Sequence, residues 1–146
     1  MTAIESQLAR DGKLVYRVRG VSMEPMLRQN RDLVILRPPA ARLKKYDVAL
    51  YRRGGDYVLH RVIGTEQGRY RIRGDNTYAV ESVPEEAVVA VLEGFVRKGV
   101  QYAVTDRRYT RYVRFWCAVY PVRALLKRMR RRIGPDAGQP RPQGRK

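Results

Sequence analysis

The sequence predicts a mainly β domain, a folded antiparallel sheet or a barrel-like unit, followed by a basic amphipathic helix. Three observations lead there. Short apolar stretches alternate at period two, turn residues stand between them, and after about Tyr102 the apolar spacing changes to three and four residues. At 146 residues, the chain has the length of one domain, and its 44% apolar content is enough for one modest core.

Thr2 to Arg10 reads as a short helix with Ile4 and Leu8 on one face, closed by the Asp11-Gly12 turn. Lys13 to Arg19 alternates, with Leu14, Tyr16 and Val18 on one side, and reads as a strand that Gly20 ends. Asp32 to Arg37 is a short apolar strand, and Pro38-Pro39 begins a loop running to Lys45. Asp47 to Arg52 and Asp56 to Ile63 are two strands, and the Arg53-Gly54-Gly55 between them suits a hairpin turn. Arg69 to Arg73 follows the Gln67-Gly68 turn, Gly74-Asp75-Asn76 is a further turn, and Ala87 to Val96 is a long β-rich run interrupted by Gly94. Many short strands with turns between them form antiparallel sheets.

The C-terminal part differs. Tyr112, Phe115, Trp116, Val119, Val122, Leu126, Met129 and Ile133 recur at helical spacing, and Pro121 is expected to kink or divide the helix. Gly134 to Lys146 is rich in Gly, Pro and Gln and reads as disordered. The expected organisation is a β domain over 1–104, a basic amphipathic helical region over 105–133 and a basic tail over 134–146.

Charge follows the same division. The formal net charge is +17, and the stretch from Arg107 to Lys146 holds thirteen Lys/Arg against one Asp. The body is therefore only mildly basic, and the excess attracts anionic partners, either nucleic acid or acidic lipid headgroups. One cysteine, Cys117, excludes an intrachain disulfide and a Cys-based metal site, and it reads as a small hydrophobe in a reducing compartment. Met1 to Arg10 has no apolar core of the kind a signal peptide needs. Phe115 to Leu126 is the longest mostly apolar stretch and contains Arg123. As a helix it would cover about 18 Å of the ~30 Å hydrocarbon core. A cytoplasmic protein without a spanning helix is expected.

Three segments carry chemistry together. In Gly20-Val21-Ser22-Met23-Glu24-Pro25-Met26 a serine follows a strand in a turn that Pro25 restrains, with Gly20 allowing a substrate backbone to come close. A nucleophile needs such a held, exposed oxygen beside free backbone N–H groups. In Tyr57-Val58-Leu59-His60-Arg61-Val62-Ile63-Gly64 stands the only histidine, the side chain best suited to take a proton near neutral pH. Ile72-Arg73-Gly74-Asp75-Asn76 offers a carboxylate that would fix the imidazole tautomer. Taken singly, each has a plain structural reading: a turn hydroxyl, a packed histidine, an Asp turn.

In order and spacing the segments resemble the superfamily of signal peptidases and SOS-repressor-like serine peptidases. Gly20-Val21-Ser22-Met23-Glu24-Pro25 looks like its nucleophile box, and Tyr46-Asp47-Val48-Ala49-Leu50-Tyr51 is similar to its Gly-Asp-Val-Val-Val-Phe strand. Leu59 to Gly64 resembles the box of the general base, Arg73-Gly74-Asp75-Asn76 the closing Lys-Gly-Asp-Asn box, and Val91-Leu92-Glu93-Gly94 the strand after it. The resemblance covers about Leu14 to Gly94. Histidine in place of the lysine of bacterial members is the mark of the endoplasmic-reticulum and archaeal branch.

The resemblance implies a signal-peptidase-type domain that cleaves an extended leader or signal-like peptide. Ser22 would be nucleophile, His60 base and Asp75 the acidic orienter, with Glu81 as the alternative acid. Gly20, Met23 and Pro25 would line the substrate, and the Ser22 N–H would bind the oxyanion, position 20 supplying no hydroxyl. No metal or organic cofactor is called for. The chain departs from the family at Met26, where threonine is usual, and at Asn30-Arg31-Asp32, where only Asp32 matches, and from Met1 to Arg10 the family's amino-terminal anchor is not expected.

For the basic helix three roles stay open: attachment to the anionic inner face of a membrane, with Trp116 and Tyr109, Tyr112 and Tyr120 at the boundary, packing on the β domain, or binding RNA. The competing functional readings are a non-catalytic peptide-binding homologue and a nucleic-acid-binding basic module.

Overall fold

The computed structural model describes residues 2–133. The mainly β fold is the one that forms. Eight strands make one antiparallel sheet: β1 (Leu14–Arg17), β2 (Leu33–Arg37), β3 (Val48–Arg53), β4 (Asp56–Glu66), β5 (Arg69–Arg73), β6 (Glu81–Pro84), β7 (Val88–Arg97) and β8 (Val100–Ala103). Their order is β1-β2-β7-β3-β4-β5-β6, with β8 also pairing β7. The sheet is open, with β1 and β6 at its ends, so the folded sheet is adopted and not a closed barrel.

Bulges and double burial fold the sheet. Extra residues interrupt the β2–β7, β3–β7 and β4–β5 ladders, and such bulges bend and twist a strand. β3 buries both faces: Val48 and Leu50 enter a larger core with Leu14, Met26, Val34 and Leu92, while Ala49 and Tyr51 enter a smaller one with Val62, Ile72 and Val83. Gly94 is needed where it stands, because a Cβ there would lie 2.7 Å from the Tyr102 carbonyl oxygen across the β7–β8 ladder. β6 and β8 were not expected from the sequence. Each has four residues, β6 ends in proline, and β8 is mostly exposed, so neither carries a readable alternation.

The N-terminal helix α1 (Ala3–Asp11) is capped by Thr2, whose hydroxyl accepts from the Glu5 N–H. Leu8 is buried, Ile4 packs beside it, and Gly12 closes the helix in the left-handed conformation. Glu5 ties α1 to the β3–β4 hairpin by accepting from the Tyr57 hydroxyl at 2.6 Å and pairing with Arg52.

The C-terminal stripe is two helices, α2 (Arg107–Ala118) and α3 (Tyr120–Ile133). The break falls at Val119, which places Pro121 in the first turn of α3, where a missing N–H is tolerated. α2 adds Tyr109 and Val113 to the larger core, so it packs on the sheet. Phe115 of α2 and Val122, Leu125, Leu126 and Met129 of α3 stay exposed. No helix among the described residues is long and apolar enough to cross a membrane. The tail expected over 134–146 lies outside the described residues.

Candidate active site

The segment after β1 is held from below. Met23, Met26 and Leu27 are buried in the larger core, and their turn is closed by the Glu24 N–H on the Val21 carbonyl (3.2 Å) and the Leu27 N–H on the Met23 carbonyl (3.0 Å). The Glu24–Pro25 peptide is cis. Gly20 has φ +72°, and its N–H donates to Gln29 Oε1 at 2.9 Å, which closes the loop. With the methionines anchored inward, Ser22 is left half-buried at the rim. Among the described residues the Ser22 N–H donates to no acceptor of the protein.

The loop after β5 clamps this turn. The Asn76 N–H donates to the Ser22 carbonyl at 2.8 Å, and Asn76 Nδ2 to the Val21 carbonyl at 3.0 Å. Gly74 fills the space between serine and histidine. A Cβ on Gly74 would stand 2.7 Å from the Ser22 carbonyl oxygen and 3.1 Å from both Cδ2 and Nε2 of His60. The Nε2 edge of the imidazole therefore faces the Ser22 segment across one glycine. Ser22 and His60 line the same cleft, about 410 Å³, together with Tyr16, Val18, Thr77 and Ala79. No hydrogen bond joins the Ser22 hydroxyl to His60 in this arrangement.

His60 lies in β4 opposite Ala49, and is 7% exposed. Burial pushes its pKa below the ordinary value, and Arg53 pushes the same way, while Glu81 and Asp75 oppose both. The ring is thus neutral near pH 7 and keeps a lone pair for a proton. Its Nδ1 is 3.2 Å from the Tyr51 hydroxyl, which donates to Glu81 Oε2 at 2.9 Å. Arg53 pairs with the other oxygen of Glu81.

The expectation for Asp75 needs correction. Its carboxylate does not orient His60. Arg61 takes both oxygens at 2.8 and 2.9 Å, and the Tyr112 hydroxyl donates to one of them at 3.0 Å. Arg61 and Asp75 are 1% and 5% exposed, and Arg61 also donates to the Tyr46 carbonyl and the Tyr109 hydroxyl. Residues 60 and 61 point to opposite faces of β4. The carboxylate turned to the face that carries the guanidinium, because a buried cation needs a counter-charge more than a neutral imidazole does. Glu81, the alternative acid, stands on the imidazole side.

The helices complete this clamp. Trp116 Nε1 and Arg123 both donate to the Asp75 carbonyl, at 2.8 and 3.0 Å, and Arg123 lies 3.7 Å over the Trp116 ring. Arg73 stacks 3.5 Å over Tyr120, and Tyr120 donates to the Tyr78 carbonyl. Part of the basic charge is therefore spent on tyrosine and tryptophan faces of the chain itself.

Tyr51 was missed as a site residue, although a signal for it existed. The Gly54-Gly55 turn sets Arg53 opposite Asp56 and hence Ala49 opposite His60, which makes Tyr51 a diagonal neighbour of the imidazole. Among the described residues no group of three or more His, Cys, Asp or Glu is placed to hold a metal ion. No family model matches the chain, and no curated protein matches it.

Proposed function

We propose that the chain is a serine endopeptidase of the signal-peptidase-like type, with Ser22 as nucleophile and His60 as general base. The observation that carries this reading is the wedge at Gly74, which sets the proton-accepting edge of the single imidazole against the Ser22 segment inside a cleft. A core histidine with both nitrogens satisfied would not present an edge to such a space.

In the reaction, the Ser22 hydroxyl attacks the scissile carbonyl while His60 Nε2 takes its proton. The oxyanion is held by the Ser22 N–H. The imidazolium then gives its proton to the leaving amine, which departs and leaves an acyl-enzyme. Water attacks the ester with Nε2 again as base, and the serine is restored. A side-chain shift of Ser22 upon substrate binding closes the hydrogen bond to Nε2, since such contacts tighten in the substrate complex. An extended peptide lies in the cleft and pairs with the free edge of β1. Of the three residues expected to line the substrate, Met23 lines this cleft, whereas Pro25 opens on a separate cavity with Met26 and Phe95, and Gly20 and Pro25 contribute by shaping the turn. The test is digestion of a peptide library by the wild-type chain and by Ser22→Ala and His60→Ala. Cleavage is expected from the wild type alone, and cleavage that survives both changes removes the assignment.

The placement that goes with this reading is the cytoplasmic face of a membrane. The exposed apolar side chains Phe115, Val122, Leu125, Leu126 and Met129 stand among Arg111, Arg114, Arg128, Arg130 and Arg131, the pattern of a helix that lies in an anionic interface. The full chain is expected to float with vesicles containing anionic lipid. A Leu125→Ser/Leu126→Ser pair should weaken that binding at least about ten-fold. Equal binding by the two chains, or tight salt-sensitive binding of RNA in place of vesicles, counts against the membrane.

A further inference from the structure

We propose that Tyr51 is a positioning residue, its phenol bridging Glu81 and His60 so that the imidazole carries its proton on Nδ1 and leaves Nε2 bare toward Ser22, a role that rests on the Ser22–His60 reading. A phenol has one proton and oxygen lone pairs, and a carboxylate only accepts. Tyr51 donates to Glu81 Oε2 at 2.9 Å. The Tyr51 hydroxyl oxygen also stands 3.2 Å from His60 Nδ1, and with its proton committed to Glu81 it acts there as acceptor. Nδ1 must then be the protonated nitrogen. The reverse arrangement, with Tyr51 donating to Nδ1, would leave a phenol lone pair against the Glu81 oxygen without a proton between them. Arg53 holds Glu81 as an ion pair from the other side, which keeps it an acceptor. Burial and then Glu81 push the Tyr51 pKa well above the ordinary phenol value, so the phenol keeps its proton.

Sheet geometry explains why a tyrosine does this work. Glu81 opens the edge strand β6, while His60 sits in β4, and the two strands are separated by β5. The register nevertheless puts Tyr51, His60 and Glu81 on one face of the sheet, since Ala49 lies opposite His60, Val62 opposite Ile72 and Ile72 opposite Glu81, and on that face the phenol of β3 touches both the carboxylate and the ring. When His60 takes the Ser22 proton, Nδ1–H stays bonded to the Tyr51 oxygen, and the Glu81 charge stabilises the imidazolium through the phenol dipole. No proton leaves Nδ1. The charged groups that act on the ring are Glu81 of β6 and Arg53 of β3 and, through space from the other face of β4, Asp75. Only Glu81 is connected to it by hydrogen bonds.

Because His60 is the only histidine, the full chain labelled with ¹⁵N-histidine gives one pair of imidazole signals. In the wild type above the His60 transition, Nδ1 is expected to be protonated and Nε2 bare. Tyr51→Phe should move population to the Nε2–H tautomer. Glu81→Ala should do the same by a different route, because the freed phenol proton turns to Nδ1, and it keeps the test alive if Tyr51→Phe does not fold. In the cleavage assay Tyr51→Phe should lower kcat about 10- to 100-fold with KM nearly unchanged. A wild-type ring in the Nε2–H form, or a Tyr51→Phe chain with unchanged tautomer, overturns the role. The spectrum needs no substrate, so it separates the two ideas. Loss of the Nδ1–H tautomer in a chain that cleaves nothing supports the bridge while the peptidase reading fails. Cleavage that requires Ser22 but ignores Tyr51 overturns the bridge and leaves the peptidase.

Discussion

Two carboxylates stand near the same imidazole and are engaged in opposite ways. Asp75 is sealed between β4 and α2, and its charge is consumed by Arg61 at two points. Glu81 lies at the sheet edge with 32% of its side chain exposed, and it meets His60 through the Tyr51 phenol. A carboxylate's role is set by the nearest unmatched cation or donor, and a place in a sequence motif does not decide it. The Asp75 side supports the cleft mechanically and the Glu81 side reaches the ring electronically.

Truncating each acid tests that contrast most directly. Asp75→Ala leaves a guanidinium buried without its partner, and breaking such a pair costs about 3–5 kcal/mol. Two tyrosine hydroxyls, of Tyr109 and Tyr112, would also lose the network that they complete. Glu81→Ala breaks an ion pair whose arginine side chain is 56% exposed, and a pair of that kind contributes under about 1 kcal/mol. Urea unfolding of the two variants should therefore give a large drop in midpoint for the first and a small one for the second. Similar midpoints for both would mean that Asp75 is not the structural member of the two.

The next largest effect is expected at Gly74, where the two sides join. Its neighbour Asp75 is fixed by Arg61, while the space a Cβ of its own would take lies against the Ser22 carbonyl and the imidazole edge. In Gly74→Ala the added methyl would stand at 2.7 Å from a backbone oxygen that the Asn76 N–H holds in place, so the serine turn or the ring must move. A displacement of about 1 Å at a reacting pair can lower the rate ~100-fold. Cleavage should fall by that order while the vesicle binding assigned to α2 and α3 is unchanged. Full activity in Gly74→Ala would show that Ser22 and His60 do not need this spacing.

Much of the sheet was legible beforehand, and the reasons are local. Leu14, Tyr16 and Val18 share a face by alternation alone, and Arg53-Gly54-Gly55 placed a hairpin, whose register the fold supplies. Tyr112 and Trp116 showed a helix by spacing, and Pro121 its division. The segments around Ser22, His60 and Asp75 could be picked out as a set, and the fold brings Ser22 and His60 to one cleft, with Gly74 against both. What alternation does not encode is the direction that a turn carboxylate takes. Asp75 was assigned to His60 because the Gly-Asp-Asn turn suggested it. Its true partner is one residue away in sequence and on the other face of the strand. Nor does any periodicity show that α2 would lay Tyr109 and Tyr112 on that pair, since this depends on how two distant segments dock.

The smallest effect concerns pH, and it sharpens the comparison from the side of the ring. Burial lowers the His60 pKa below 6.5, and neither Glu81 nor Asp75 offsets this in full. As pH falls through the ordinary value, the unfolded chain binds a proton at this position and the folded chain does not until a lower pH. The unfolded state therefore holds more protons in that window, and stability rises with pH there. The contribution is complete above about pH 6.5 and is lost as pH falls toward the lowered value in the fold. Thermal midpoints of the wild type should decline more steeply on acidification through this window than those of His60→Gln, in which that proton has no site. Glu81→Ala removes a charge that raises the pKa, so its His60 should stay neutral to lower pH and extend the decline further. Parallel curves for wild type and His60→Gln would mean that the ring is as free to charge in the fold as in water, and then nothing keeps Nε2 bare beside Ser22 below neutral pH.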